Sequence, residues 1–144
     1  MVKKLLGIVL LAACAPKPLS SIAVATTGNA KARIIVMCQG IVTKESGPKE
    51  SVQTFGETYA FNPATFAVRR DEPTQIIFWN LQPDDEHDVM LLDEHNHVVL
   101  QRKLPPLSKI SYVMTFHRQG VFPFFCTMHQ PEMSGQVLVL SPSR

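Results

Sequence analysis

Residues 120–139 read GVFPFFCTMHQPEMSGQVLV. Two β-forming runs, GVFPFF and GQVLV, flank a short segment that holds Cys126, His129 and Met133 within eight residues. Thiolate, imidazole and thioether are soft ligands, and together they suit copper in both of its oxidation states. A mononuclear site of that kind takes two imidazoles and one thiolate near a plane, with a weak axial thioether. One loop thus offers three of the four ligands, and the second imidazole has to come from elsewhere. His87 in DDEHDVML is the candidate: it opens another β-forming run 39 residues before Cys126. At one pole of a two-sheet structure, two such strand ends can meet.

Outward from this loop the chain reads as strands. The runs are 32–43, 64–70, 74–81, 87–93, 97–103, 109–116, 120–126 and 135–141. Turn signals separate them: Asp71-Glu72-Pro73, Gln82-Pro83-Asp84, Glu94-His95-Asn96, Pro105-Pro106 and Gln119-Gly120. About eight short strands at this spacing predict an all-β Greek-key sandwich or barrel. SGPKES (46–51) reads as a loop, and 44–58 is the only stretch with helical character.

On these residues the chain resembles the cupredoxins, the small blue-copper proteins, over most of 55–140. FNPATFAVRRDEPTQIIFWNL resembles the family's strand–turn–strand leading to an Asn, and HDVML resembles the segment with its first histidine. FHRQGVFPFFC is similar to the strand before the cysteine, and CTMHQPEMSG to the ligand loop. The resemblance implies one mononuclear copper ion, with His87 and His129 as imidazole ligands, Cys126 as thiolate and Met133 as axial ligand. Around it, Asn80 is expected to tie the His87 segment to the Cys126 loop. Phe124, Phe125 and Pro131 are expected to supply apolar surroundings, and Pro131 to stiffen the loop by fixing φ and removing a donor. His129 is expected to keep one ring edge near solvent, beside Met128 and Pro131.

The spacing is C-x2-H-x3-M, between the two-residue gap of amicyanin-like loops and the four-residue gap of plastocyanin-like ones. A dinuclear CuA centre would need a second cysteine four residues after the first, and position 130 is Gln. A red-copper variant would need Glu86 to point inward in place of His87, since alternation along a strand admits only one of them.

The N-terminus carries a different message. MVKK followed by the nine apolar residues LLGIVLLAA is too short to span a bilayer and has the flanks of a secretory signal. Leu11-Ala12-Ala13-Cys14 resembles a bacterial lipobox, which implies removal of residues 1–13 and lipid attachment at Cys14. Residues 14–31, small, polar and proline-marked, are expected to be a flexible tether, and 32–144 the folded domain. With Cys14 lipidated and Cys126 a thiolate, Cys38 is expected to be a lone buried thiol.

A chain of 144 residues with 45% hydrophobic and 18% charged content is long enough to bury a core without staples. A formal charge of +2 gives no basis for nucleic-acid binding. Between Asp71 and Gln101 lie eight acids and no Lys or Arg. They read as solvated turns, with steering of a cationic partner as the functional alternative. Met37, Met90 and Met114 are expected in the core, and His95, His97 and His117 in water.

These features predict an exported type 1 copper protein, lipid-anchored to the cell membrane or outer membrane and facing the periplasmic or extracellular side. It would carry single electrons between redox proteins such as cytochromes or a membrane oxidoreductase. A closed four-ligand site leaves no position for substrate, which argues against an enzyme. The alternatives are copper delivery or sequestration through the same ligands, and a cupredoxin-like domain without an electron-transfer role.

Overall fold

The heptapeptide TQIIFWN (74–80) shows how the sequence builds the core. Thr74, Ile76, Phe78 and Asn80 are buried, while Gln75, Ile77 and Trp79 face outward, the two-residue period of a strand with one wet face. The same alternation recurs along the chain. In the computed structural model, which describes residues 20–142, it gives ten strands and one short helix. They are β1 (Ile22–Ala25), β2 (Ala32–Val42), α1 (Lys49–Phe55), β3 (Thr58–Asn62), β4 (Thr65–Arg69), β5 (Thr74–Asn80), β6 (His87–Leu92), β7 (Val98–Leu104), β8 (Lys109–Phe116), β9 (Gly120–Phe125) and β10 (Ser134–Leu140).

Two five-stranded mixed sheets form, in the orders β1-β8-β5-β2-β3 and β4-β10-β9-β6-β7. Each contains one parallel pair, β2 with β5 and β4 with β10, and the remaining pairs are antiparallel. Aromatic side chains join the sheets. Phe124 of β9 lies 5.1 Å from Phe61 and 5.5 Å from Phe78 of the opposite sheet, and 5.7 Å from Phe66 of its own, between ring centroids. The contacts with Phe61 and Phe78 are edge-to-face, at 64° and 68°, and add specific attraction to the burial of large apolar area.

The fold is the all-β sandwich that the strand spacing predicts, with ten strands instead of about eight and with open sheet edges instead of a closed barrel. Both extra strands lie where composition hid them. The tether expected over 14–31 includes β1, whose IAVA pairs with Val113–Phe116 of β8 along its whole length. The helical character expected in 44–58 is confined to α1, which buries no residue, and β3 follows it directly. The signal segment, Cys14 and the start of the tether lie outside the described residues. Met114 and Cys38 are core residues as expected. Met37 and Met90 are half-buried on outward-facing positions of β2 and β6.

Candidate metal centre

The ligand positions follow from the strands that carry them. Phe122 and Phe124 are fully buried on the inner face of β9, and Cys126, two residues further on, continues that face and is itself fully buried. β9 and β10 pair antiparallel up to Phe125 and Ser134, so the intervening segment must turn back at this pole. The turn is closed by its own backbone. The Cys126 N–H donates to the Met133 carbonyl at 3.0 Å, and the Met133 N–H to the His129 carbonyl at 2.9 Å. The Gln130 side-chain amide donates to the carbonyls of Cys126 (2.7 Å) and Met133 (3.0 Å), bracing both ends of the loop. Gly135 lets the returning strand come close: a Cβ there would lie 2.4 Å from Phe124 Cζ and 2.5 Å from the Ala64 carbonyl oxygen.

His87 begins β6, the neighbour of β9, and is fully buried. Its Nδ1 lies 3.0 Å from His129 Nδ1 and 4.0 Å from Cys126 Sγ, and the third side, Cys126 Sγ to His129 Nδ1, is 3.5 Å. A circle through these three atoms has a radius of about 2.1 Å, inside the range of roughly 2.0–2.3 Å over which imidazole nitrogen and thiolate sulfur bond first-row metals. The donor set therefore fits one ion in the plane of the three atoms. Met133, fully buried at the end of the same loop, supplies the thioether. Among the described residues, these three form the group of His, Cys, Asp and Glu side chains suited to hold a metal ion.

Two further side chains hold the pole together. Asp88, 5% exposed, faces the ligand loop. Its carboxylate accepts the Thr127 N–H at 2.6 Å and the Thr127 hydroxyl at 2.7 Å, and its own N–H donates to Cys126 Sγ at 3.5 Å. Burial pushes the Asp88 carboxyl up, but hydrogen bonds from the Thr127 hydroxyl and backbone, from Cys126 and from Gln101 outweigh it and hold it below the usual carboxylate range. Tyr59 of β3 packs its ring against both imidazoles and donates its hydroxyl to Asp85 at 2.5 Å. Burial, and then the bond to Asp85, push that hydroxyl up, so it stays a donor.

Burial, and then the neighbouring His129, push His87 down to about 4. The imidazole is thus neutral at physiological pH, the form that ligates. Burial pushes the Cys126 thiol up, against backbone N–H groups of Asp88 and Met128 that favour the thiolate.

Some expected neighbours sit elsewhere. Asn80 is fully buried, yet its amide donates to the carbonyls of Asp85 (2.7 Å), Leu104 (3.1 Å) and Pro105 (3.2 Å), and its oxygen accepts the Gln82 N–H at 2.9 Å. It ties the end of β5 to the 81–86 loop and to the end of β7, not to the Cys126 loop. The tie across the site is made by Asp88 and Thr127. Phe125 alternates to the face of β9 away from Cys126 and is half-buried, whereas Phe124 shares the buried face with Cys126. Pro131 is exposed. Glu86 reaches Lys103 at 2.9 Å, which leaves His87 as the inward residue. His95, His97 and His117 are exposed, as expected.

Asp71, Asp85, Glu86, Asp88, Asp93 and Glu94 of the 71–101 stretch each meet a partner within the chain. Of the four candidate ligands only His129 is not fully buried, and Met128 beside it is 46% exposed.

No protein-family model matches the chain, and no curated protein matches its sequence. Solved structures do. Amicyanin from Paracoccus versutus shares 18% identity at a TM-score of 0.51, over 83% of this chain and 98% of that one. Auracyanin A, a blue copper protein from Chloroflexus aurantiacus, shares 14% identity at 0.53, over 75% and 98%. A copper nitrite reductase from Nitrosomonas europaea shares 9% identity at 0.60, over 80% of this chain but only 51% of that one. The chain has the cupredoxin fold, with His87, Cys126, His129 and Met133 arranged at one pole like a type 1 copper site.

Proposed function

We propose that this protein binds one copper ion through His87 Nδ1, Cys126 Sγ and His129 Nδ1, with Met133 as the weak axial ligand, and carries single electrons between redox partners outside the cytoplasm. The observation that carries the reading is the ligand triangle of 3.0, 3.5 and 4.0 Å, formed by buried His87 at the start of β6 with Cys126 and His129 of the braced loop. Bound copper would supply the one-electron couple between its cuprous and cupric forms. The chain's part is to hold three donors at fixed distances so that little rearranges when the charge changes. His129, the ligand nearest solvent, is the exit for the electron, with exposed Met128 as apolar contact area for a partner. That partner would be a cytochrome or a membrane oxidoreductase.

Optical and EPR spectra of the copper-loaded protein test this. A strong thiolate-to-copper band with narrow hyperfine splitting and a reversible couple support it, and a colourless copper form overturns it. Loss of copper on reduction, with transfer to an acceptor, would mean delivery instead of electron transport.

We further propose export and lipid anchoring through Cys14. The apolar run at 5–13 and the LAAC sequence support this. Among the described residues no helix is long and apolar enough to cross a membrane. Mass spectrometry of the mature N-terminus would find a diacylglyceryl-modified Cys14, and a Cys14→Ser variant would leave the membrane fraction.

A further inference from the structure

Tyr59 belongs to the sheet opposite His87 and Cys126, yet it is the ring against which both imidazoles rest. Its centroid is 5.0 Å from that of His87 at 66° and 4.7 Å from that of His129 at 54°, and the two imidazoles are 4.8 Å apart at 66°. The three rings thus touch pairwise. Tyr59 is 2% exposed, so this packing is dry. The far end of the side chain is also held: its hydroxyl donates to Asp85 Oδ2 at 2.5 Å. Asp85 in turn is pinned through its carbonyl by the buried Asn80 amide at 2.7 Å.

Metal-binding histidines are usually oriented by a hydrogen bond from the nitrogen that does not ligate. At His87 that nitrogen, Nε2, is buried and has no hydrogen-bond partner in the protein. Aromatic packing is what remains to orient the ring. An imidazole free to turn about its two side-chain torsions would carry Nδ1 away from the triangle, and each turned state is a loss of preorganisation.

We propose that Tyr59 is the positioning residue of the site: its ring, anchored to Asp85, sets the angle of both imidazoles and holds the ligand triangle before a metal arrives. The assignment rests on the reading of the pole as a metal site. It also gives the Asn80–Asp85–Tyr59 chain a purpose, since it joins the 81–86 loop, β3 and both ligand segments through buried Asn80 and Tyr59 and half-buried Asp85.

The test uses Tyr59→Phe, which keeps the ring and removes the donor, Asp85→Ala, which removes the anchor, and Asp85→Asn, which keeps an acceptor oxygen. Tyr59→Ala is the full deletion. If it does not fold, the other three carry the test. In the metal-free protein, amide exchange at Met133, inside the ligand loop, is compared with exchange at Ile76 in the core. Tyr59→Phe and Asp85→Ala should each raise exchange at Met133 at least threefold with Ile76 unchanged, Tyr59→Ala at least tenfold, and Asp85→Asn should stay at the wild-type rate. In the copper-loaded protein the first two should widen the hyperfine splitting.

Exchange and splitting at wild-type values in Tyr59→Phe and Asp85→Ala overturn the proposal, as does an equal rise at Met133 and Ile76. If the wild-type protein itself shows no thiolate-to-copper band, the metal reading fails, and the metal-free exchange still decides whether Tyr59 holds the loop.

Discussion

Replacing Asp88 by Ala tests the tie between the first-histidine strand and the ligand loop. The carboxylate accepts two short hydrogen bonds from Thr127, at 2.6 and 2.7 Å. Bonds to a charged group contribute about 1.5–3 kcal/mol each when their partners cannot be replaced. Two effects lower the sum. Thr127 is exposed, so water can take over its N–H and hydroxyl, and removing the buried charge also removes its desolvation cost. A net loss of about 2 kcal/mol is what remains. In a domain of this size that lowers the midpoint of thermal unfolding by about 6–12 °C. Circular dichroism of the metal-free protein at pH 7 reads this directly. A double-mutant cycle with Thr127→Ala isolates the hydroxyl half of the contact, with an expected coupling of about 1 kcal/mol. A midpoint within about 1 °C of wild type, or strict additivity of the two substitutions, would refute the assignment of Asp88 as the tie.

Other outcomes follow from the same geometry. Gly135→Ala places a methyl 2.4 Å from Phe124 Cζ and 2.5 Å from the Ala64 carbonyl oxygen. Ring and backbone would both have to move, at a cost of about 1–3 kcal/mol in chemical denaturation. Gln130→Ala removes donors to the carbonyls of Cys126 and Met133. It should loosen the loop, seen as faster amide exchange at Met133, and leave β5 amides unchanged.

Asp93 is pushed up by burial but pulled further down by the backbone N–H groups of His97 and His95 and by the His97 ring. Its folded value thus lies below the unfolded one. The stability it contributes is complete above the ordinary Asp value of about 3.9 and is lost as pH falls through the lower folded value. A carbon-13 NMR titration should show that low midpoint, and Asp93→Asn should flatten the acid limb of the stability curve.

Metal uptake should release protons, because burial keeps Cys126 a thiol in the metal-free protein whereas His87 is already neutral at pH 7. An indicator-dye measurement at pH 7 should find at least about one proton per ion from the thiol, and less as pH rises. Unchanged proton release at high pH would contradict it.

Much of the site was readable along the chain, because its chemistry is local. Cys126, His129 and Met133 lie within one turn between two strands, and no fold is needed to see that their donors are soft. The two-residue period of β9 carries Cys126 onto the face of Phe122 and Phe124, and it explains equally why Phe125 turns away. β1 was hidden because four small and apolar residues between polar ones carry no pattern of their own. It is a strand because β8 offers it a ladder. β3 was hidden because its first residue, Thr58, falls inside the 44–58 stretch of helical character, although Gly56 at φ 77° ends α1 before it.

The ligand types, their order and the size of the loop were determined by the sequence alone, since each is a property of residues that are neighbours along the chain. The supports were decided only by tertiary structure. Tyr59 meets Asp85 across 26 residues, and Asp88 meets Thr127 across 39. Asn80 turned from the expected partner to the carbonyls of Asp85, Leu104 and Pro105, which the 81–86 loop and the end of β7 in the opposite sheet bring to it. A buried polar group bonds whatever the packing places beside it, and which strands become neighbours is settled by the joint burial of both sheets.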